Sequence, residues 1–240
     1  MGRFNTLQAG RGEKMARAQK IWNGVYIIGG SDITRPEDCC IYLVEAGEEL
    51  VLIDAGAGRS VKKILDNIAL VGLDPQQLTH VIATHGHIDH IGGLQEIKTR
   101  LDLKVVAHEL ELPAIEEGKS NLTADYMYGL HYQPVQVDIV LQGDKTCLQI
   151  GNRELVCLHT PGHTPGGISV YLDVDGKRVL FGQDIHGPFD SSWGSDQQKW
   201  RQSMQQLLEL KADILCEGHF GIYTQHEKVA AYIEHYLEIY

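Results

Sequence analysis

Apolar residues recur along this chain in two ways: as short unbroken runs between glycine-rich or charged turns, and as stretches where they return every three or four positions. Runs at 25–28, 41–45 and 50–54 read as strands. Val61, Ile64, Leu65 and Ile68 stand at i, i+3, i+4 and i+7, which predicts a helix ending near Gly72. A strand at 81–84, a helix from about 92 to 101 and a strand at 104–107 complete a first half. A similar second half opens with a strand at 137–141 and continues with strands at 146–150, 154–159, 168–172 and 178–181. An amphipathic helix then carries Trp200, Met204, Leu207 and Leu208 on one face, with Ser195 or Asp196 as its N-cap. A strand at 213–216 and a final helix over 225–240, with Val229, Ile233, Tyr236 and Tyr240 on one side, close the pattern. Strands this apolar need cover on both faces, and no linker rich in Gly, Ser or Pro parts the halves. The expectation is therefore a single α/β domain over 21–240. Its architecture would be a four-layer αββα sandwich, two mixed sheets face to face with helices on the outside. Residues 1–20, with Arg3, Arg11, Lys14, Arg17 and Lys20, read as a poorly ordered basic tail.

Composition narrows the function. The 240 residues are 43% hydrophobic and 22% charged, ordinary for a globular protein. A net charge of -11 argues against a broad nucleic-acid surface, which needs clustered Lys and Arg. No apolar stretch approaches the roughly 18 residues of a membrane span, and no secretion signal is visible. The five cysteines, Cys39, Cys40, Cys147, Cys157 and Cys216, are odd in number, lack metal-finger spacing and mostly sit in apolar runs. They read as reduced core residues of a cytoplasmic protein.

The chemistry concentrates in His85-Gly86-His87-Ile88-Asp89-His90. In an extended segment i and i+2 share a face, so His85 and His87 converge on one ion, while Asp89 and His90, where the chain must turn, point at a second. Histidine with carboxylate suits a first-row divalent metal. Three further polar residues follow strands in glycine-containing turns: His163 within 160–167, Asp184 after Leu180-Phe181-Gly182, and His219 after Ile214-Leu215-Cys216. No Gly-x-Ser-x-Gly nucleophile elbow is present.

From residue 25 onward, Leu52-Ile53-Asp54-Ala55-Gly56, the 84–93 cluster, the turn around His163, Gly182-Gln183-Asp184 and Gly218-His219 together resemble the metallo-β-lactamase fold superfamily of metal-dependent hydrolases. The resemblance implies two metal positions. His85, His87 and His163 would hold one ion and Asp89, His90 and His219 the other, with Asp184 bridging; zinc is the expected metal, iron or manganese the alternatives. Asp54 would buttress the histidine loop, or else simply cap its turn. Two divalent ions held together lower the pKa of a water between them, so the expected reaction is hydrolysis by a bridging hydroxide. Asp89 and Asp184 are the catalytic carboxylates in this reading, Asp89 orienting the hydroxide or shuttling its proton.

The strings at 160–167 and 181–184 look most like the glyoxalase II type of thioesterase, implying cleavage of a thioester or ester of a small molecule. Only one helix's length of chain follows His219, too little for that branch's glutathione-binding domain. Lactonases resemble the chain in the same seven ligands, but their usual tyrosine three positions after the bridging aspartate is Gly187 here; His186 either substitutes for it or is a solvated or supporting histidine. Persulfide dioxygenase relatives, with one iron on part of the ligand set, are a third reading, and a structural or regulatory metal a fourth. Substrate choice is expected at Tyr126-Met127-Tyr128 with His131 and Tyr132, and at Phe189 and Trp193, lining an apolar acyl pocket. Packing of a helix-like excursion or a homodimer contact fits those segments equally well. The remaining histidines, His80, His108, His159, His226 and His235, read as surface, loop or strand-end residues.

Overall fold

Strands buried on both faces order themselves by what covers each face, and here three apolar clusters do so. The computed structural model describes residues 16–240. One sheet runs β1 (Gln19–Trp22), β2 (Val25–Gly29), β3 (Ile41–Ala46), β4 (Glu49–Ile53), β5 (Leu78–Ile82), β6 (Lys104–His108) and β7 (Ile139–Leu141) in spatial order. Its first four strands pair antiparallel and β4 through β7 parallel. The second sheet runs β13 (Ile222–Thr224), β12 (Ile214–Glu217), β11 (Lys177–Gln183), β10 (Ile168–Val174), β9 (Arg153–His159) and β8 (Lys145–Ile150), antiparallel except for the β11–β12 pair.

Alternate residues of each strand serve different layers. Val25, Ile27, Tyr42, Val44, Val51 and Ile53 meet Val170, Leu172, Val179, Phe181 and Ile214 between the sheets. Ile28, Leu43, Leu50 and Leu52 face outward onto α1 (Val61–Leu70) and α3 (Leu94–Arg100), through Ile64, Ile68, Leu94 and Ile97. On the far side Leu158, Leu180 and Leu215 pack against α7 (Gln197–Glu209) and α8 (His226–Ile239), through Trp200, Met204, Val229 and Ile233. The four-layer αββα sandwich of two mixed sheets follows from this alternation. Among the described residues no helix is long and apolar enough to cross a membrane.

Several boundaries differ from the sequence reading. Gln19 and Lys20 belong to β1 rather than to a tail, because the edge of the first sheet gives their backbone partners on β2; residues 1–15 of the tail lie outside the described residues. The 137–141 run does not open the second half: β7 is three residues long and adds to the first sheet in parallel with β6. The edge strands β1 and β13, four and three residues long, have no counterpart among the predicted elements. Asp196, not Ser195, caps α7, its Oδ1 accepting from the backbone N–H of Gln198 and Lys199 (3.0 and 3.1 Å). Ser195 instead donates to the carbonyl of His163 (2.6 Å). Four cysteines are buried, Cys147 is exposed, and all five are free thiols.

Candidate metal centre

Every proposed ligand sits where a strand ends at one edge of the sandwich. β5 stops at Ile82, two residues earlier than expected, and His85 and Gly86 form a bend rather than an extended segment. His87 then caps the single turn α2 (Ile88–Ile91), which carries Asp89 and His90. His85 and His87 do converge, but through the bend and through different ring atoms: Nε2 of His85 lies 3.1 Å from Nδ1 of His87. From the second sheet, the loop between β9 and β10 brings Nε2 of His163 to 3.0 Å from the same His87 nitrogen. Asp184 follows β11 and His219 follows β12. One Asp184 oxygen lies 3.5 Å from His163 Nε2 and 3.3 Å from His219 Nε2, and the other 3.3 Å from His90 Nε2. Asp89 Oδ2 lies 3.3 Å from His219 Nε2 and 3.7 Å from His90 Nε2.

The seven fall into two compact donor groups, His85, His87, His163 and Asp184, and beside them Asp89, His90 and His219; a third grouping, Cys39, Asp54 and His90, shares His90 with the second. Within each group the donor atoms lie within 4.8 Å of one another. Hydrogen bonds on the outward nitrogens fix most of the tautomers. Nδ1 of His90 donates to Asp54 Oδ2 (2.8 Å) and Nδ1 of His163 donates to the carbonyl of Pro188 (2.8 Å). Thr84 Oγ1 spends its proton on Asp54 (2.8 Å) and so accepts from His85 Nδ1 (3.2 Å). The His85 and His163 rings therefore each aim an Nε2 lone pair inward, while Nε2 of His90 faces Asp184 Oδ1. His87 has one proton at most for two neighbouring lone pairs, so hydrogen bonding alone cannot satisfy the cluster. His87 Nε2 is itself buried without a partner. Crowded lone pairs with two carboxylates are the donor set that divalent cations require.

Asp54 combines both roles considered for it. It adopts a left-handed turn at the end of β4 (φ 62°), accepts the Thr84 N–H (2.8 Å), and holds His90. Gly93 packs so closely on Ala55 that a Cβ there would collide with the Ala55 carbonyl, which keeps the histidine loop seated on this turn.

Electrostatics divide the two groups. Burial lowers the pKa of His85 well below its ordinary value, that of His87 to about 3 and that of His163 to about 4. Burial opposes charge on His219 and His90 as well, yet both are raised well above the ordinary value. Asp184 is the leading attraction for His219; Cys39, Asp184 and Asp54 act on His90. Burial likewise opposes the Asp89 carboxylate, and His90 and His219 bring it down to about 2.

Five of the seven candidate ligands, His87, Asp89, His163, Asp184 and His219, form the floor of a cavity of about 270 Å³ walled by Ala124, Met127, Tyr128, Pro188, Trp193 and Phe220. Among the described residues, none of those lining it is Lys or Arg. Met127 and Tyr128 come from α6 (Asp125–Tyr128), and Trp193 lies edge-on to His87 at 4.7 Å between ring centroids. Burial, with the Asp89 charge nearby, raises the pKa of the Tyr128 hydroxyl and keeps it protonated. The other aromatic candidates go elsewhere: Tyr132 is buried with its hydroxyl on the Ile115 carbonyl (3.1 Å), Phe189 packs on Trp200 and Tyr240, and Tyr126 is 57% exposed. His186 both lines the cavity and is anchored, its Nδ1 donating to Glu217 Oε1 (2.9 Å).

Other residues were missed or misread. Buried Glu217 also accepts the N–H of His219 and of Phe220 (2.6 and 2.7 Å); its place two residues before His219 was the available signal. His108 is buried rather than superficial, stacked on His159 at 4.0 Å, because β6 carries it between the layers. His80 lies within β5 and is partly buried.

The comparisons with known proteins agree with this geometry. The family model described as the metallo-beta-lactamase superfamily matches residues 34–219. The chain is similar to the probable metallo-hydrolase YflN of Bacillus subtilis, 27% identical over 212 residues, covering 75% of this chain and 79% of the relative. It is also similar to the acyl-coenzyme A thioesterase MBLAC2 of Gallus gallus, 29% identical over 210 residues, covering 76% and 73%. A Cronobacter sakazakii metallo-beta-lactamase with a HARLDQ motif shares the fold at a TM-score of 0.79 and 22% identity, covering 93% of this chain and 95% of that one. The family match runs through every turn that carries a candidate ligand, and on that ground, with the metallo-hydrolase relatives, the chain belongs to the metallo-beta-lactamase superfamily as a hydrolase.

Proposed function

We propose that this protein hydrolyses a thioester or ester of a small molecule with an apolar acyl group, on a centre of two divalent ions, zinc first among them. The observation that carries the reading is the convergence of seven donor side chains, five of which line a largely apolar cavity with no Lys or Arg among its described lining residues. The relatives named as thioesterases support the bond type. His85, His87 and His163 would hold one ion, Asp89, His90 and His219 the other, and Asp184 would touch both. When bound, such ions polarise a carbonyl oxygen and lower the pKa of a water. The chain's own part is orientation and exclusion. Asp89, kept ionised and buried, accepts a proton-bearing group at Oδ2 and so orients a water on the cavity floor. The Tyr128 hydroxyl, beside Asp89, donates toward a carbonyl entering from the open side. Trp193, Met127 and Phe220 exclude bulk water and hold the acyl chain. A lactone is the second reading, favoured by Tyr128, which brings a phenol to the cavity although Gly187 occupies the third position after Asp184.

The test is turnover of matched thioester, lactone and phosphodiester panels by protein reconstituted with zinc, manganese or iron. Thioester or ester cleavage by the two-zinc form supports the proposal; activity confined to a one-iron form with oxygen uptake replaces it by the dioxygenase reading. Full loading with no turnover leaves a structural metal. Tyr128→Ala is expected to raise KM for apolar acyl substrates roughly 10-fold or more, with metal content unchanged. Steady-state kinetics across acyl chain lengths check this, and identical profiles would remove Tyr128 from the substrate site.

Proton release should separate the two positions. His85, His87 and His163 are already neutral at pH 7, whereas His90 and His219 hold protons in the metal-free protein. The first ion is therefore expected to bind without releasing protons, keeping its affinity until the pH falls toward about 4. The second displaces protons and weakens as the pH falls through the raised values of His90 and His219, above the ordinary histidine range. Calorimetric titrations in two buffers of different ionisation enthalpy measure this directly.

A further inference from the structure

The turn between β6 and α4 (Leu112–Ile115) buries an acid for which the chemistry above has no use. Glu111 is 3% exposed. Its Oε2 accepts the N–H of Gly86 (2.8 Å), the residue between His85 and His87, and its Oε1 accepts the N–H of Gly166 (2.8 Å), three residues after His163. One carboxylate thus joins the ligand loop of the first sheet to the ligand loop of the second. Both glycines are shaped around it. A Cβ on Gly86 would lie 2.7 Å from Glu111 Oε2, and one on Gly166 would lie 2.8 Å from Glu111 Cγ. The glycines of the His-Gly-His and Pro-Gly-Gly strings are therefore room for this side chain as well as turn formers. Burial without a cationic partner pushes the Glu111 carboxyl up to about 7, offset in part by the Thr164 side chain and by the two backbone donors. An unpaired buried acid is costly to keep.

We infer that Glu111 is a positioning residue that sets the spacing of the His85–His87 bend and the His163 loop, and through it the affinity and geometry of the His85, His87 and His163 position. This rests on the metal-centre reading above. Glutamine is the discriminating replacement: nearly the same volume, but one acceptor oxygen, so one loop faces an NH2 group and is released.

The experiment titrates wild type, Glu111→Gln and Glu111→Asp with Co2+, following visible d–d absorption, with circular dichroism and melting of the metal-free proteins in parallel. Glu111→Gln is expected to weaken the first equivalent about 10- to 100-fold, to change its absorption intensity, and to leave the second equivalent and the fold as in wild type. Wild-type affinity and spectrum in Glu111→Gln overturn the inference. So does a lowered melting temperature with an unaltered cobalt spectrum. A wild type that takes up no cobalt refutes the metal-centre reading instead. Should neither variant fold, amide exchange in the wild type decides. Strong protection of Gly86 and Gly166 upholds the clamp, and exchange as fast as at the open Gly143 turn overturns it.

Discussion

Asp184→Asn is expected to reduce turnover on the order of 10³-fold and to empty both metal positions at ordinary metal concentrations. The side chain is common to the two donor groups, with one oxygen facing His163 and His219 and the other facing His90. Asparagine keeps the volume, so the β11–β12 edge and the close approach of Gly218 to Asp184 Oδ1 are preserved. What disappears is a charge. Asp184 is the leading attraction that keeps His219 protonated in the metal-free protein, and it acts on His90 too. The variant's His219 and His90 should therefore lose protons at lower pH than in wild type. Metal analysis of protein purified in parallel, kcat/KM, and histidine titration by NMR measure the three consequences. Two ions retained with wild-type kcat would remove Asp184 from the centre.

Much of the site was legible because its donors are clustered or punctuated by glycine. His85, His87, Asp89 and His90 lie within six residues, and the later turns each follow an apolar run. The sheets were legible for the same reason: Ile41–Ala46 and Glu49–Ile53 are apolar enough to demand cover on both sides. The supporting carboxylates were harder. Glu111 stands among Glu109, Glu116 and Glu117 in a segment that reads as an ordinary polar turn, and only the approach of two distant loops distinguishes it. Local period likewise cannot show which sheet a three-residue strand joins, so the 137–141 run was placed in the wrong half. The excursion holding Met127 and Tyr128 forms brief helical turns, and its placement over the ligands depends on tertiary contact alone.

His87→Ala should also cost on the order of 10³-fold in kcat/KM, but by a different route that separates the two positions. His87 belongs only to the group with His85 and His163, and its Nδ1 is the atom both of their Nε2 atoms face. Its removal takes one of three nitrogens from that position while leaving Asp89, His90 and His219 intact, so one ion per chain is expected to remain. Unlike His163 and His90, His87 has no hydrogen bond on its outward nitrogen and is held by packing against Trp193. Trp193→Ala should therefore reproduce a weakened form of the same defect, lowering first-position affinity without altering proton release at the second. Metal stoichiometry and calorimetry on the two variants distinguish this from loss of the acyl wall alone, which raises KM and leaves the ions in place. If His87→Ala kept both ions and its activity, the first position would have to be built from other atoms, and the hydrolytic reading would lose the geometry on which it depends.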